Sequence, residues 1–246
     1  MLPTISLFVP CFVDQLVPQA AVDMAIVLRR LGYRLDFPKA QTCCGQPAFN
    51  AGFWNEARPV AERFVRVFVN AETVICPSGS CTAMVRSFYP ELLASSPLRE
   101  EALALAARIF EFSEFLVDVA GVTDVGACFP HRVTCHDSCH TLRELHVWRQ
   151  PRELLRHVRG LELVELGCSE ECCGFGGVFS IKFPEISGAM GDVKSRHIAA
   201  TGAEFVTACD PSCLLHIEGV LRRQGAKAKT MHLASILAST TSTPST

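Results

Sequence analysis

Residues Cys43–Gly45 read Cys-Cys-Gly, and the same three letters return at Cys172–Gly174. A single cysteine precedes each doublet at nearly the same distance, and another cysteine closes each block. This recurrence of one pattern at matched spacing means that the chain contains two copies of one unit. The copies are Cys11, Cys43, Cys44 and Cys81 in the first half, and Cys139, Cys172, Cys173 and Cys213 in the second.

Apolar runs that are typical of strands precede the cysteine blocks. These runs are Ile5–Val9, Thr73–Ile75, Arg132–Thr134, Leu161–Leu166 and Glu204–Thr207. Helical periodicity lies between them, at Ala20–Leu31, Ala57–Val69 and Pro151–Val158. The alternation predicts an α/β fold of two pseudo-repeated βαβ-type halves on mostly parallel sheets. Because parallel sheets carry binding loops at their strand C-terminal ends, we expect the cysteine loops to meet at one rim of each half.

The repeat also predicts how the chain divides. We expect a first half at residues 1–125 and a second half at residues 126–238, followed by a disordered Ser/Thr-rich tail at residues 239–246. A long helical segment from about Pro97 to Val119 is expected to pack across the junction.

Composition narrows the class of protein. Hydrophobic residues make up 49% of the 246 residues and the net charge is −2, so a folded core is expected and a nucleic-acid partner is not. No apolar run approaches the ~18 residues of a membrane span, and the N-terminal apolar run reads as a first strand rather than a signal peptide. We therefore expect a cytoplasmic protein with no transmembrane segment, associated with a membrane only through partners.

Thirteen cysteines in such a chain favour metal ligation over a disulfide framework. Two further cysteines, Cys76 and Cys209, give each half a fifth candidate ligand. Adjacent cysteines suit an iron–sulfur cluster, which presents several irons, better than a single tetrahedral zinc. Gly45 and Gly174 are candidate cofactor-binding positions, because glycine permits positive φ and close approach. Zinc in a structural scaffold stays open as an alternative.

The remaining cysteines and two histidines have simpler interpretations. Cys128, Cys135 and Cys168 fall outside the repeat, and we interpret them as ordinary buried or free thiols. His136 and His140 flank Cys139, where they can hydrogen-bond a cluster or cap a turn. We favour the turn-capping role.

Several longer strings carry a family resemblance. The segments Cys43–Ala48 (CCGQPA), Pro77–Cys81 (PSGSC), Cys172–Ser180 (CCGFGGVFS) and Met231–His232 resemble the cysteine-rich CCG domain family. That family includes the CCG-containing subunit of heterodisulfide reductase and the iron–sulfur subunit of glycolate oxidase. Within it, the strings look most like the lactate utilisation protein A group. The resemblance extends from Ser6 to Leu237.

This resemblance implies a set of expectations about function. It implies iron–sulfur clusters, two [4Fe–4S] of cubane or noncubane type, in an electron-transfer subunit of a system that oxidises L-lactate to pyruvate. The chain has no C-x₂-C-x₂-C run, so a ferredoxin-domain iron–sulfur protein and a third subunit are the expected partners. The alternatives are a heterodisulfide reductase-like enzyme acting at its own noncubane cluster and a zinc-stabilised scaffold.

Overall fold

The computed structural model describes residues 3–240, which form two halves built on the same plan. Each half contains a four-stranded sheet whose described strand pairings are all parallel. The spatial orders are β2-β1-β3-β4 and β6-β5-β7-β8. The strands are β1 (Thr4–Leu7), β2 (Arg34–Asp36), β3 (Val74–Cys76), β4 (Ile109–Glu111), β5 (Arg132–Cys135), β6 (Glu162–Leu163), β7 (Phe205–Ala208) and β8 (Lys229–His232). The predicted α/β fold of two repeated halves is confirmed.

Helices connect and cover the strands. In α2 and α4 the buried residues recur at helical spacing, which is why one face of each packs on its sheet. The helices are α1 (Cys11–Leu16), α2 (Pro18–Arg30), α3 (Gln46–Asn50), α4 (Trp54–Phe68), α5 (Gly79–Ala83), α6 (Tyr89–Leu92), α7 (Arg99–Ala106), α8 (Phe112–Glu114), α9 (Cys139–Arg143), α10 (Arg149–Arg156), α11 (Val178–Lys182), α12 (Pro184–Thr201), α13 (Pro211–Arg223) and α14 (Leu233–Ala238), with π-helical turns at Met84–Phe88 and Phe115–Val119.

The prediction of one long helix from about Pro97 to Val119 is wrong. Helix α7 ends at Ala106, and β4 then pairs in parallel with β3 before α8 begins. Glu111 ends the strand and caps α8, because its carboxylate accepts hydrogen bonds from the backbone N–H groups of Ser113 and Glu114. Burial of Ile109 and Glu111 on the sheet overrides the helical periodicity of the segment.

The two halves share one hydrophobic core. A single cluster of buried side chains includes Ile5 and Met24 from the first half and Val133 and Leu154 from the second. Helix α14, near the end of the described chain, packs against α2. The Arg30 guanidinium reinforces this contact by donating to the carbonyl oxygens of residues 125, 237 and 238. The halves are therefore joined by packing as well as by the chain.

Two sequence expectations concern the ends and the membrane. Most of the tail predicted to be disordered, residues 241–246, lies outside the described residues. Within residues 3–240, no helix combines the length and apolar character that a bilayer crossing requires.

Candidate metal centre

Strand order brings the cysteines of each half together. Strand β1 lies between β2 and β3, and Cys11, the Cys43/Cys44 doublet and Cys81 follow the C-terminal ends of these three strands. In the second half β5 lies between β6 and β7, with cysteines in the same three loops. We call Cys11, Cys43, Cys44 and Cys81 the first quartet, and Cys139, Cys172, Cys173 and Cys213 the second quartet.

The two rims face each other across a single cavity of about 190 Å³, and all eight quartet cysteines line it. Phe12 and Phe175, one from each half, form part of its wall, with ring centroids 5.8 Å apart. The sequence predicted a rim in each half, and the structure shows that both rims open into one space.

The sulfur atoms of each quartet form the same hydrogen-bonded series. Hydrogen bonding from the Cys11 and Cys44 thiols lowers the pKa of Cys43 to about 3. The equivalent contacts from Cys139 and Cys173 lower the pKa of Cys172 to about 2. In both quartets the first cysteine of the doublet is therefore the sulfur that most readily becomes a thiolate, the form that binds metal.

Backbone N–H groups also point at these sulfurs. Gly45 N lies 3.4 Å from Cys43 Sγ, and Gly174 N lies 3.4 Å from Cys172 Sγ. In the second half Phe175 N adds a contact of 3.5 Å to Cys173 Sγ. Such donors stabilise negative charge on sulfur, whether in a thiolate or in a thiolate-bound cluster.

A buried carboxylate joins the closing loops of the two quartets. Asp210 precedes α13 in the second half, and its Oδ2 accepts from Ser80 N at 2.8 Å and from Ser78 Oγ at 3.2 Å in the first half. Its Oδ1 accepts from Ser212 N and Oγ at 3.1 and 2.6 Å. One side chain thus positions the segments that carry both Cys81 and Cys213.

His232 makes a second link between the halves. Burial lowers the pKa of His232 to about 4, so the ring is neutral at neutral pH. Its Nδ1 accepts from Ala234 N at 3.1 Å, which leaves Nε2 to donate to Pro77 O at 3.0 Å. The loop after β3 is therefore held by residues that come 130 or more positions later.

The residues that form the two quartets match a known protein family. The model of the cysteine-rich domain called CCG matches residues 5–86 and 133–218, which contain the two quartets. The chain belongs to the CCG family. The two matched segments correspond to the two halves of the fold, so each half holds one CCG repeat.

Named relatives are similar to the CCG chain over nearly its whole length. "Lactate utilization protein A" of Oceanobacillus iheyensis is 45% identical over 234 residues, covering 95% of this chain and 96% of that one. The protein of the same name from Bacillus subtilis is 43% identical over 234 residues, covering 95% and 98%. The predicted resemblance to the lactate utilisation protein A group is confirmed.

A solved structure resembles the CCG chain in fold alone. The crystal structure of a hypothetical protein from Helicobacter pylori aligns with a TM-score of 0.55 at 13% identity, covering 95% of this chain and 48% of that chain.

The other two candidate ligands of the CCG repeats lie elsewhere. Cys76 is the last residue of β3, fully buried, with its Sγ 3.4 Å from Ser78 O. Cys209 follows β7 and lies 3.6 Å from the Ser113 hydroxyl, inside the shared core. Neither residue lines the cavity between the quartets. The three cysteines outside the repeat do not line this cavity either. Cys135 lies in the core, and Cys168 is exposed.

Two residues within the second CCG repeat lie in surroundings that the sequence did not predict. His136, for which we favoured a turn-capping role, is buried, and a ring nitrogen lies within 4.8 Å of the sulfurs of Cys173 and Cys213. Lys194 is buried in α12 and was not singled out at all. A lysine at a buried helix position is the signal that could have found it.

The glycine after each doublet can be tested by substitution. Both adopt left-handed backbone, with φ of +83° at Gly45 and +97° at Gly174, so alanine costs about 1–2 kcal/mol at either position. At Gly174 the added Cβ also meets Ser187 O at 2.5 Å, whereas the nearest atom at Gly45 is 3.5 Å away. Overpacking of this kind adds about 1–3 kcal/mol.

We therefore expect Gly174→Ala to lower the thermal unfolding midpoint clearly more than Gly45→Ala does. Circular dichroism melts of the two variants beside the unmodified protein provide the measurement. Equal midpoints for the two variants would contradict the close contact with Ser187.

Proposed function

We propose that this chain is an iron–sulfur electron-transfer subunit of a multi-protein system that oxidises L-lactate to pyruvate. The observation that carries the proposal is the pair of equivalent cysteine quartets facing one cavity. Two matched sets of thiols suit two redox cofactors placed close together, and a purely structural zinc site does not require such a pairing.

The donor set fits iron–sulfur clusters. Each quartet supplies four thiols from three loops, which matches the Cys₄ ligation of [4Fe–4S] clusters. When bound, such clusters supply one-electron acceptance and donation. The eight quartet cysteines are the ligands that we propose, and Gly45 and Gly174 give the backbone freedom beside them. Cubane and noncubane clusters both remain within the proposal.

The surrounding residues perform the supporting tasks. Phe12 and Phe175 cover the cavity with apolar surface and limit the access of water. The Tyr89 hydroxyl donates to the Cys44 carbonyl oxygen at 2.9 Å and so holds the first doublet in place. In the second half the buried Arg152 guanidinium holds the loop before Cys139 through two hydrogen bonds to Asp137, of 2.7 and 2.9 Å.

The substrate part of the proposal rests on the names of the relatives, "Lactate utilization protein A". We propose that electrons from lactate pass through this subunit, and that a ferredoxin-domain iron–sulfur protein and a third subunit complete the system. A cytoplasmic location and any membrane association through those partners belong to the same proposal, as does a division of the chain near residue 125.

The shared cavity also supports a second candidate, an enzyme related to heterodisulfide reductase that acts at its own noncubane cluster. Because both quartets line one space, a disulfide that entered it would lie close to both clusters. This candidate requires a change in the cluster spectrum when a disulfide is added to the isolated chain. An unchanged spectrum with lactate, pyruvate and a panel of disulfides would favour the electron-transfer role.

Metal analysis tests the proposal directly. Iron, zinc and acid-labile sulfide are measured on anaerobically purified protein, and the same sample is examined by EPR after reduction. We expect about eight irons and eight sulfides per chain, the content of two four-iron clusters. Zinc without sulfide would instead support the zinc-stabilised scaffold and contradict the proposed role in electron transfer.

A further inference from the structure

The two halves differ at two buried positions beneath the quartets. Phe8 lies three residues before Cys11, and His136 lies three residues before Cys139. Their backbones are equivalent, because Phe8 N donates to Ile75 O on β3 and His136 N donates to Thr207 O on β7. A phenylalanine in the first half is thus replaced by a histidine in the second.

The second difference lies on the helix that follows each doublet. A Cβ at Gly45 would contact Val60 of α4, and a Cβ at Gly174 would contact Met190 of α12. Val60 and Met190 therefore occupy equivalent positions in the two halves. One helical turn further along each helix lie Phe64 and Lys194. A buried aromatic ring in the first half corresponds to a buried ammonium group in the second.

The floor of the first half is apolar. The rings of Phe8 and Phe64 have centroids 4.6 Å apart in an edge-on arrangement, and Tyr89 packs on Phe64 at 5.7 Å. These rings belong to one hydrophobic cluster with Cys44 and Cys81. They bring no charge near the first quartet.

Lys194 places a buried amino group beside the loop that leads to the second doublet. Its side chain is 1% exposed, and within residues 3–240 its Nζ donates one hydrogen bond, of 2.7 Å, to Cys168 O. Burial lowers its pKa, and the carboxylate of Glu171 acts in the opposite direction. A buried ammonium without a close counter-ion is costly, so it is expected to face negative charge when the protein is loaded.

His136 adds a polar group at the same place. The residue is 1% exposed, and neither ring nitrogen has a nitrogen or oxygen hydrogen-bond partner among the described residues. A ring nitrogen lies within 4.8 Å of the sulfurs of Cys173 and Cys213. A buried imidazole without an oxygen or nitrogen partner is left free to donate toward sulfur.

We propose that Lys194 and His136 make the second quartet the electron-retaining site, with a reduction potential above that of the first quartet. The proposal rests on the proposed function, since it requires a cluster in each half. One-electron reduction adds one negative charge to a cluster. A nearby cation in a low-dielectric interior and an N–H donor to sulfur both stabilise that charge, and the first half has neither feature at the equivalent positions, Phe8 and Phe64.

The test is an EPR-monitored redox titration of anaerobic protein, with dithionite as the electron donor and iron and sulfide measured on the same samples. Lys194→Met removes the charge at similar volume. We expect the reduction equilibrium of one cluster to weaken roughly tenfold, which is about 59 mV for a one-electron couple, while the other cluster keeps its potential. The Lys227 side chain supplies the matched control, and Lys227→Met is expected to shift neither cluster.

Two further variants keep the outcome decisive. Cys44→Ser removes the first quartet as a site, so the signal that remains identifies the second-half cluster. His136→Phe copies the first half and is expected to lower the same potential, including in the case that Lys194→Met fails to fold. If neither substitution changes the reduction potential of either cluster, this inference is overturned, while the proposed function is unaffected. Unmodified protein without iron and sulfide would overturn both.

Discussion

Cys44→Ser is expected to remove about half of the iron and sulfide from the anaerobically purified protein, and Cys173→Ser the other half. Both residues are buried and lie in the middle of the sulfur series of their quartet, where Cys44 contacts Cys43 and Cys81. A serine hydroxyl at such a position is a poor substitute for a thiolate ligand. Combined iron, sulfide and EPR measurements show which half is lost.

The control is a cysteine outside the quartets. Cys128→Ser changes a partly buried thiol that does not line the cavity, so the iron content is expected to stay intact. Cys209→Ser is a sharper comparison, because Cys209 lies close to Cys213 in sequence while its sulfur faces Ser113. If Cys128→Ser strips iron as completely as Cys44→Ser, the assignment of the quartets is wrong.

Asp210→Ala is expected to lower the free energy of unfolding by about 3–5 kcal/mol. Its carboxylate is buried and accepts four hydrogen bonds, from Ser78, Ser80 and Ser212. Alanine leaves these donors without their acceptor, and a buried donor without a partner costs about 1–3 kcal/mol. Urea unfolding of samples with equal iron content measures the change in midpoint.

A second aspartate provides the comparison for this loss. Asp124 accepts one local hydrogen bond, from Gly126 N at 2.8 Å, and Asp124→Ala is expected to stay within about 0.5 kcal/mol of the unmodified protein. A midpoint for Asp210→Ala as high as that of Asp124→Ala would show that the contact between the closing loops contributes little.

The spacing of the cysteines was enough to predict the repeated fold, because the period of the repeat and the alternation of strands and helices follow from the local residue pattern. The strand runs before Cys11 and Cys139 alternate with helices whose buried faces recur every third or fourth residue. The joining of the two rims into one cavity was not predictable in this way. It depends on contacts such as Asp210 with Ser80, which are separated by 130 positions and leave no periodic trace.

One sequence prediction, the long helix, is contradicted by the structure, and the surroundings of Cys76 and Cys209 were not predictable from their spacing. The segment after Ala106 has helix-forming residues, but β3 offers an unpaired edge that Ile109–Glu111 fills. Cys76 and Cys209 look like a matched pair, yet Cys76 lies within its strand and Cys209 lies after the end of its own. A difference of one position in the spacing to the closing cysteine places the two sulfurs in unrelated surroundings.

The link from His232 to Pro77 has a consequence for biosynthesis. The ribosome completes the first half long before residues 210 and 232 emerge, so the loop that carries Cys81 lacks these partners until the second half is synthesised. Helix α14, which packs on α2, arrives last of all the described elements. The first quartet therefore takes its final shape only after the second half has been synthesised, and the proposed cluster is expected to enter it after that point.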